Sequence, residues 1–121
     1  MDHVSRYLHT FTTLQADGLD ELTAVFAADA RFKDPFNDVR GVAAITRIFT
    51  HMFATTQHSR FVIVDHALTG DTLFIRWDYH FQTLKGESWE IPGTSVVRFN
   101  ACGRLRCGAC GLLGSGRAYL Q

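Results

Sequence analysis

At 121 residues the chain is one domain long, enough to bury a real core. Hydrophobic residues make up 46% and charged residues 20%, which excludes an intrinsically disordered chain. The 12 basic residues balance 12 acidic ones with no Lys/Arg run, so neither nucleic acid nor a membrane surface is an expected partner.

No apolar stretch approaches the ~20 residues that span a bilayer. Met1 to Phe11 is too polar for a signal peptide, so the expected location is cytoplasmic. Val4, Tyr7, Leu8, Phe11 and Leu14 recur at helical spacing and predict an amphipathic helix ended by Gly18. Asp20, Leu22, Val25 and Phe26 predict a short second helix that stops before Asp29. Ala30 to Asp34 alternates as a short strand, and Pro35 ends it because proline cannot donate to a ladder. Asn37 to Gly41 is read as a turn. Val42 to Phe53 is the strongest helix, with Ile45, Ile48, Phe49, Met52 and Phe53 in one broad apolar stripe.

From Arg60 the period falls from helical to two. Arg60–Leu68, Thr72–Thr83 and Ser88–Asn100 read as strands joined by turns at Thr69-Gly70-Asp71 and Lys85-Gly86-Glu87. In the second strand Leu73, Ile75, Trp77, Tyr79 and Phe81 share one face; Phe74, Arg76, Asp78, His80 and Gln82 share the other. Helices followed by a meander make an α+β domain, helices on one face of a twisted sheet. Residues 1–100 carry this pattern. Residues 101–121 form an atypical glycine- and cysteine-rich tail, read as the domain's final strand or as disorder.

Several segments together resemble the NTF2-like proteins, also called SnoaL-like or ketosteroid-isomerase-like. They are Leu19-Asp20-Glu21-Leu22, Phe26-Ala27-Ala28-Asp29-Ala30, Phe32-Lys33-Asp34-Pro35-Phe36, Gly41-Val42-Ala43-Ala44-Ile45, Arg76-Trp77-Asp78-Tyr79, Gly93 with Ser95, and Arg98-Phe99-Asn100. The resemblance implies a cone: a curved antiparallel sheet with N-terminal helices packed on its concave face. This fold hosts isomerases, cyclases, epoxide hydrolases, dehydratases and plain binding domains, so it does not fix the activity.

Asp34 is the candidate catalytic residue. A carboxylate at the mouth of an apolar pocket can serve as general base, and the resemblance to ketosteroid isomerases implies that role for an aspartate before a proline. The other reading is a turn opening, with the carboxylate accepting backbone N–H groups. Thr10 and Ser95 stand where those isomerases carry a tyrosine and a protonated aspartic acid, so steroid isomerisation is not expected. Tyr7, Phe36, Phe53, Trp77, Tyr79, Trp89 and Ser95 are the candidate ligand-binding residues, with core packing as the alternative for each.

Arg76, Asp78 and His80 form an outward row, expected in solvent or at a homodimer interface. No metal is expected in the main body. Cys102, Cys107 and Cys110 lack a clustered fourth ligand, and an odd set fits reduced thiols. No cofactor is expected. Relatives continue through a strand bearing Asp-Tyr-Trp-Asp, where this chain has Gly111 to Ala118. Codons able to encode that run also spell, one nucleotide later, Asp-Tyr-Trp-Asp-Pro-Ala-Glu. The tail is therefore read as a frame-shifted product, which sequencing of the coding DNA tests. The expected functions are a binding domain for a small hydrophobic molecule, an acid–base enzyme using Asp34, or a non-catalytic dimerisation module.

Overall fold

The computed structural model describes residues 2–100 and, as backbone, 105–112. The chain runs α1 (His3–Thr12), a 3-10 turn (Ala16–Glu21), α2 (Leu22–Val25), β1 (Phe26–Lys33), β2 (Asp38–Arg40), α3 (Val42–Thr55), β3 (Thr56–Thr69), β4 (Thr72–Thr83), β5 (Ser88–Phe99) and β6 (Leu105–Leu112). The strands form one sheet in the order β2-β1-β6-β5-β4-β3. All neighbours are antiparallel except β1 and β6, which run parallel.

Asp2 starts α1 as an N-cap, its Oδ1 accepting the Ser5 N–H at 2.7 Å. The helix stops at Thr12, before Leu14. The Thr12 and Thr13 hydroxyls both donate to the His9 carbonyl, which also accepts the Thr13 N–H at 3.0 Å as the last bond of the helix. The expected second helix is only the single turn α2, and β1 opens at Phe26, four residues before Ala30. Phe26 and Ala27 are buried at this opening, and Phe26 pairs with Leu105. The segment expected as a turn contains β2, which pairs with Arg31, Phe32 and Lys33. The connection is therefore Asp34 to Asn37, and Asp34 stands just past the end of β1 rather than within it.

The edge strand β3 begins four residues before the expected Arg60 and carries two bulges, between Gln57 and Arg60 and between Ile63 and Asp65. His58 beside the first has a positive φ of 54°. Bulges bend a strand and raise its twist, so β3 is able to fold over the helices. Gly70 closes the β3–β4 hairpin at φ 61°, where a side chain would be strained. The glycine-rich tail has little intrinsic strand preference. Its backbone nevertheless pairs on both sides, β6 filling the slot between β1 and β5. Residues 101–104 and 113–121 lie outside the described residues, and with them Cys102 and most of the Gly111 to Ala118 run.

The core lies between the concave face and the helices. Leu22, Ile45, Leu73, Ile75, Val97 and Phe26 are fully buried there. Phe11 joins the layers, with ring centroids 4.7 Å from Tyr7, 6.2 Å from Phe26, 5.6 Å from Phe49 and 6.3 Å from Phe61. No helix among the described residues is long and apolar enough to cross a membrane.

Candidate functional site

A hollow remains at one end of this core. Its volume is about 460 Å³, within the range that holds a small ligand. Sheet residues Phe32, Phe61, Ile63, Ile75, Trp77, Tyr79 and Ser95 line one side; Tyr7 and Phe11 of α1 line another. The mouth lies between the Asp34-Pro35-Phe36 connection and Ile48, His51, Met52 and Thr55 of α3. The wall is overwhelmingly apolar, so each polar group in it carries weight.

Asp34 is half-buried at this mouth. Its Oδ1 accepts the Phe36 N–H at 2.8 Å, the Asn37 N–H at 2.6 Å and the Asn37 side-chain amide at 3.1 Å. Its Oδ2 receives only a longer bond from that amide, at 3.2 Å. The carboxylate thus organises the turn with one oxygen and keeps the other less engaged. These contacts are those of the turn-opening reading of Asp34.

Trp77 forms part of the floor. Its Nε1–H donates to the Ser95 hydroxyl at 2.8 Å, and Ser95 is 4% exposed. Phe61 stands perpendicular to the indole, centroids 5.6 Å apart and planes at 89°. Of the other candidate residues, Tyr7, Phe36 and Tyr79 also border the hollow, and Phe36 projects from its rim at 86% exposure. Phe53 and Trp89 are not in the wall. Phe53 packs against the core from the flank of α3. Trp89 sits further along the sheet, stacked on Phe81, which in turn stacks on Tyr79. Thr10 is buried but also lies outside the wall.

His51 borders the mouth without having been singled out from the sequence. Ile48, His51, Met52 and Thr55 follow the i, i+3, i+4, i+7 pattern beside the buried Ile45–Phe49 line. Ile48 and Met52 belong to the expected stripe; reading its flank as a rim would have found His51 and Thr55 as well.

Burial pushes the Tyr79 hydroxyl above its ordinary 10.0, opposed in part by the nearby Thr56 and Ser59 side chains. A raised folded-state value means that the neutral phenol is favoured on folding. Its contribution is whole below the unfolded value and is lost as pH rises through the folded one. Stability is thus expected to fall above about pH 10 more steeply than in a Tyr79→Phe variant. Urea midpoints measured from pH 8 upward check this, and parallel curves would refute it.

The outer face of the same strands sets charged residues among exposed apolar ones such as Val62 and Phe74. Arg76 makes a two-pronged ion pair with Asp65 at 2.6 and 2.7 Å, which raises the guanidinium and lowers the carboxyl from their ordinary values. Antiparallel register sets Glu90 opposite His80, so Asp78, His80 and Glu90 offer donor atoms within 4.8 Å of one another. The sequence reading expected no metal grouping. This one escaped it because Glu90 is adjacent across strands and not along the chain. His80 Nδ1 lies 3.6 Å from Glu90 Oε2, beyond a hydrogen bond. Cys107 and Cys110 lie on β6, pairing with Arg98 and Ser95 respectively.

A family model described as "SnoaL-like domain" matches residues 4–107. No curated sequence matches the chain. Among solved structures, a protein from Catenulispora acidiphila with a ketosteroid-isomerase-like fold, in complex with trimethylamine, aligns with a TM-score of 0.77 at 16% identity, over 89% of this chain and 82% of that one. An NTF2-like protein of unknown function from Exiguobacterium sp. 255-15 gives 0.78 at 22% identity, over 91% and 97%. A candidate SnoaL-like polyketide cyclase from Shewanella denitrificans gives 0.76 at 16%, over 91% and 89%. At these identities the likeness shows a shared fold.

Proposed function

Since the chain belongs to the SnoaL-like domain family, whose cone-shaped fold it has, we propose that it binds a small, largely apolar molecule in the hollow between sheet and helices. The observation that supports this reading best is the aromatic wall itself. A space of about 460 Å³ with so few polar groups is costly to leave as water and favourable to fill with apolar surface. The Catenulispora protein of this fold holds a small molecule, trimethylamine, in its structure.

A neutral dye that brightens in apolar surroundings, N-phenyl-1-naphthylamine, tests the reading. Saturable binding of one dye per chain is expected. Thr55 is exposed on the rim, so Thr55→Phe should fold normally while weakening dye binding about ten-fold by narrowing the mouth. Dye binding that is non-saturable, or indifferent to that substitution, removes the proposal.

One observation favours a second reading, an acid–base enzyme. The less engaged Asp34 Oδ2 sits at the mouth of the apolar hollow, the place where a base would meet a C–H acid. Isomerase and cyclase chemistry begin with such a proton transfer, and a hydratase would use the same base to take a proton from water. A homodimer is a further proposal, supported by Val62 and Phe74, 40% and 46% exposed in strands β3 and β4. Sedimentation of the chain as a monomer at micromolar concentration would reject it.

A further inference from the structure

Gly93 lies buried within β5, and no turn demands it. Its backbone is outside the left-handed region, so conformational freedom does not explain the glycine. What does is the residue directly across the ladder, Trp77. A Cβ added at position 93 would lie 2.5 Å from both Cζ2 and Cζ3 of the indole, and nearer still to Cη2. Distances to the two ring neighbours that are so little longer than the one to Cη2 put that Cβ above the ring plane over Cη2, not off the ring's edge. The indole therefore lies flat on β5 across Gly93. Ser95, two residues along, holds its Nε1–H at 2.8 Å. With one face against the strand, the indole turns the other toward the hollow it lines.

We propose that Gly93 is a positioning residue which sets the depth of the pocket and, through the flattened Trp77 ring, its preference for planar unsaturated rings. The inference rests on the pocket reading above. Any side chain at position 93 lifts the indole off the strand, breaks its bond to Ser95 and drives the ring into the space a ligand would use. The flat indole offers an unsaturated ring face-to-face contact that a puckered ring of the same carbon skeleton cannot match.

The test uses a Trp89→Phe background, which leaves Trp77 as the single tryptophan. Without ligand, Gly93→Ala is expected to shift Trp77 emission and raise its quenching by acrylamide. With ligand, 2-naphthol is compared with its saturated counterpart decahydro-2-naphthol. The parent should favour the planar alcohol by about five-fold, and Gly93→Ala should remove that preference. Gly93→Ala together with Trp77→Phe should recover a cooperative thermal transition and bind the saturated alcohol within about two-fold of the parent, since the smaller ring clears the methyl group. Gly93→Ala that keeps both the parent emission and the planar preference overturns the proposal. So does a Gly93→Ala defect of equal size with and without the indole. If the parent binds neither alcohol, the pocket reading fails, and the ligand-free emission still decides whether Gly93 places Trp77.

Discussion

Phe11→Ala is expected to destabilise the domain by about 3–5 kcal/mol, a large share of the 5–15 kcal/mol typical of a native protein. The ring is 9% exposed and touches four other aromatic rings, from α1, β1, α3 and β3. Removing it deletes contacts that hold both helices to the sheet at once. The void cannot close by a local shift, because Phe11 also lines the hollow and the space left would simply join it. Urea denaturation followed by far-ultraviolet circular dichroism measures the effect, with a fall in melting temperature of about 10–20 °C as a second readout. Phe36→Ala is the contrast. That ring is 86% exposed at the mouth, so its loss should change stability by less than about 0.5 kcal/mol while weakening ligand binding. A Phe11→Ala cost near that of Phe36→Ala would mean the layers are not joined as described.

Asp34 separates two roles by two substitutions. In Asp34→Asn an amide oxygen can still accept the Phe36 and Asn37 N–H groups, so the connection between β1 and β2 should persist. The proton acceptor, however, is gone. Under the acid–base reading, turnover of a carbonyl compound bearing an acidic C–H should fall about 10²–10⁴-fold with ligand affinity nearly unchanged. Asp34→Ala removes the turn acceptor as well, and should cost about 1–2 kcal/mol of stability in addition. Single-turnover rates and dye affinities on the two variants distinguish these effects. If Asp34→Asn matches the parent in turnover, the carboxylate serves the turn alone.

The elements of this fold were legible wherever hydrophobic period was strong. Helix α3 and the β3–β4–β5 meander follow from alternation and stripe, and the bounds of β4 coincide with the expected Thr72 and Thr83. The stretch from Asp20 to Arg40 misled because Phe26-Ala27-Ala28 suits a helix by composition. It opens a strand whose pairing with β6, more than seventy residues later, begins at Phe26 and resumes at Arg31. No local signal carries that information. The same limit governs the site. Strand alternation gave the face on which Trp77, Tyr79 and Trp89 lie, but not how far along that face the hollow extends. Phe81 intervenes, so Trp89 lies beyond the wall. Phe53 was assigned by the breadth of the α3 stripe, and the rim proved to be its other flank, at His51 and Thr55. Ser95 and Gly93 were noticed as a pair; that they seat one indole is visible only in the cross-strand register.

Xenon under pressure, diffused into crystals of the protein, probes the central claim with no assumption about ligand identity, since apolar cavities take up this atom. An xenon peak among Phe49, Ile75 and Trp77, residues that all border the hollow, is the predicted result. Electron density showing that space filled by the indole and phenyl rings, with no xenon bound, would contradict it.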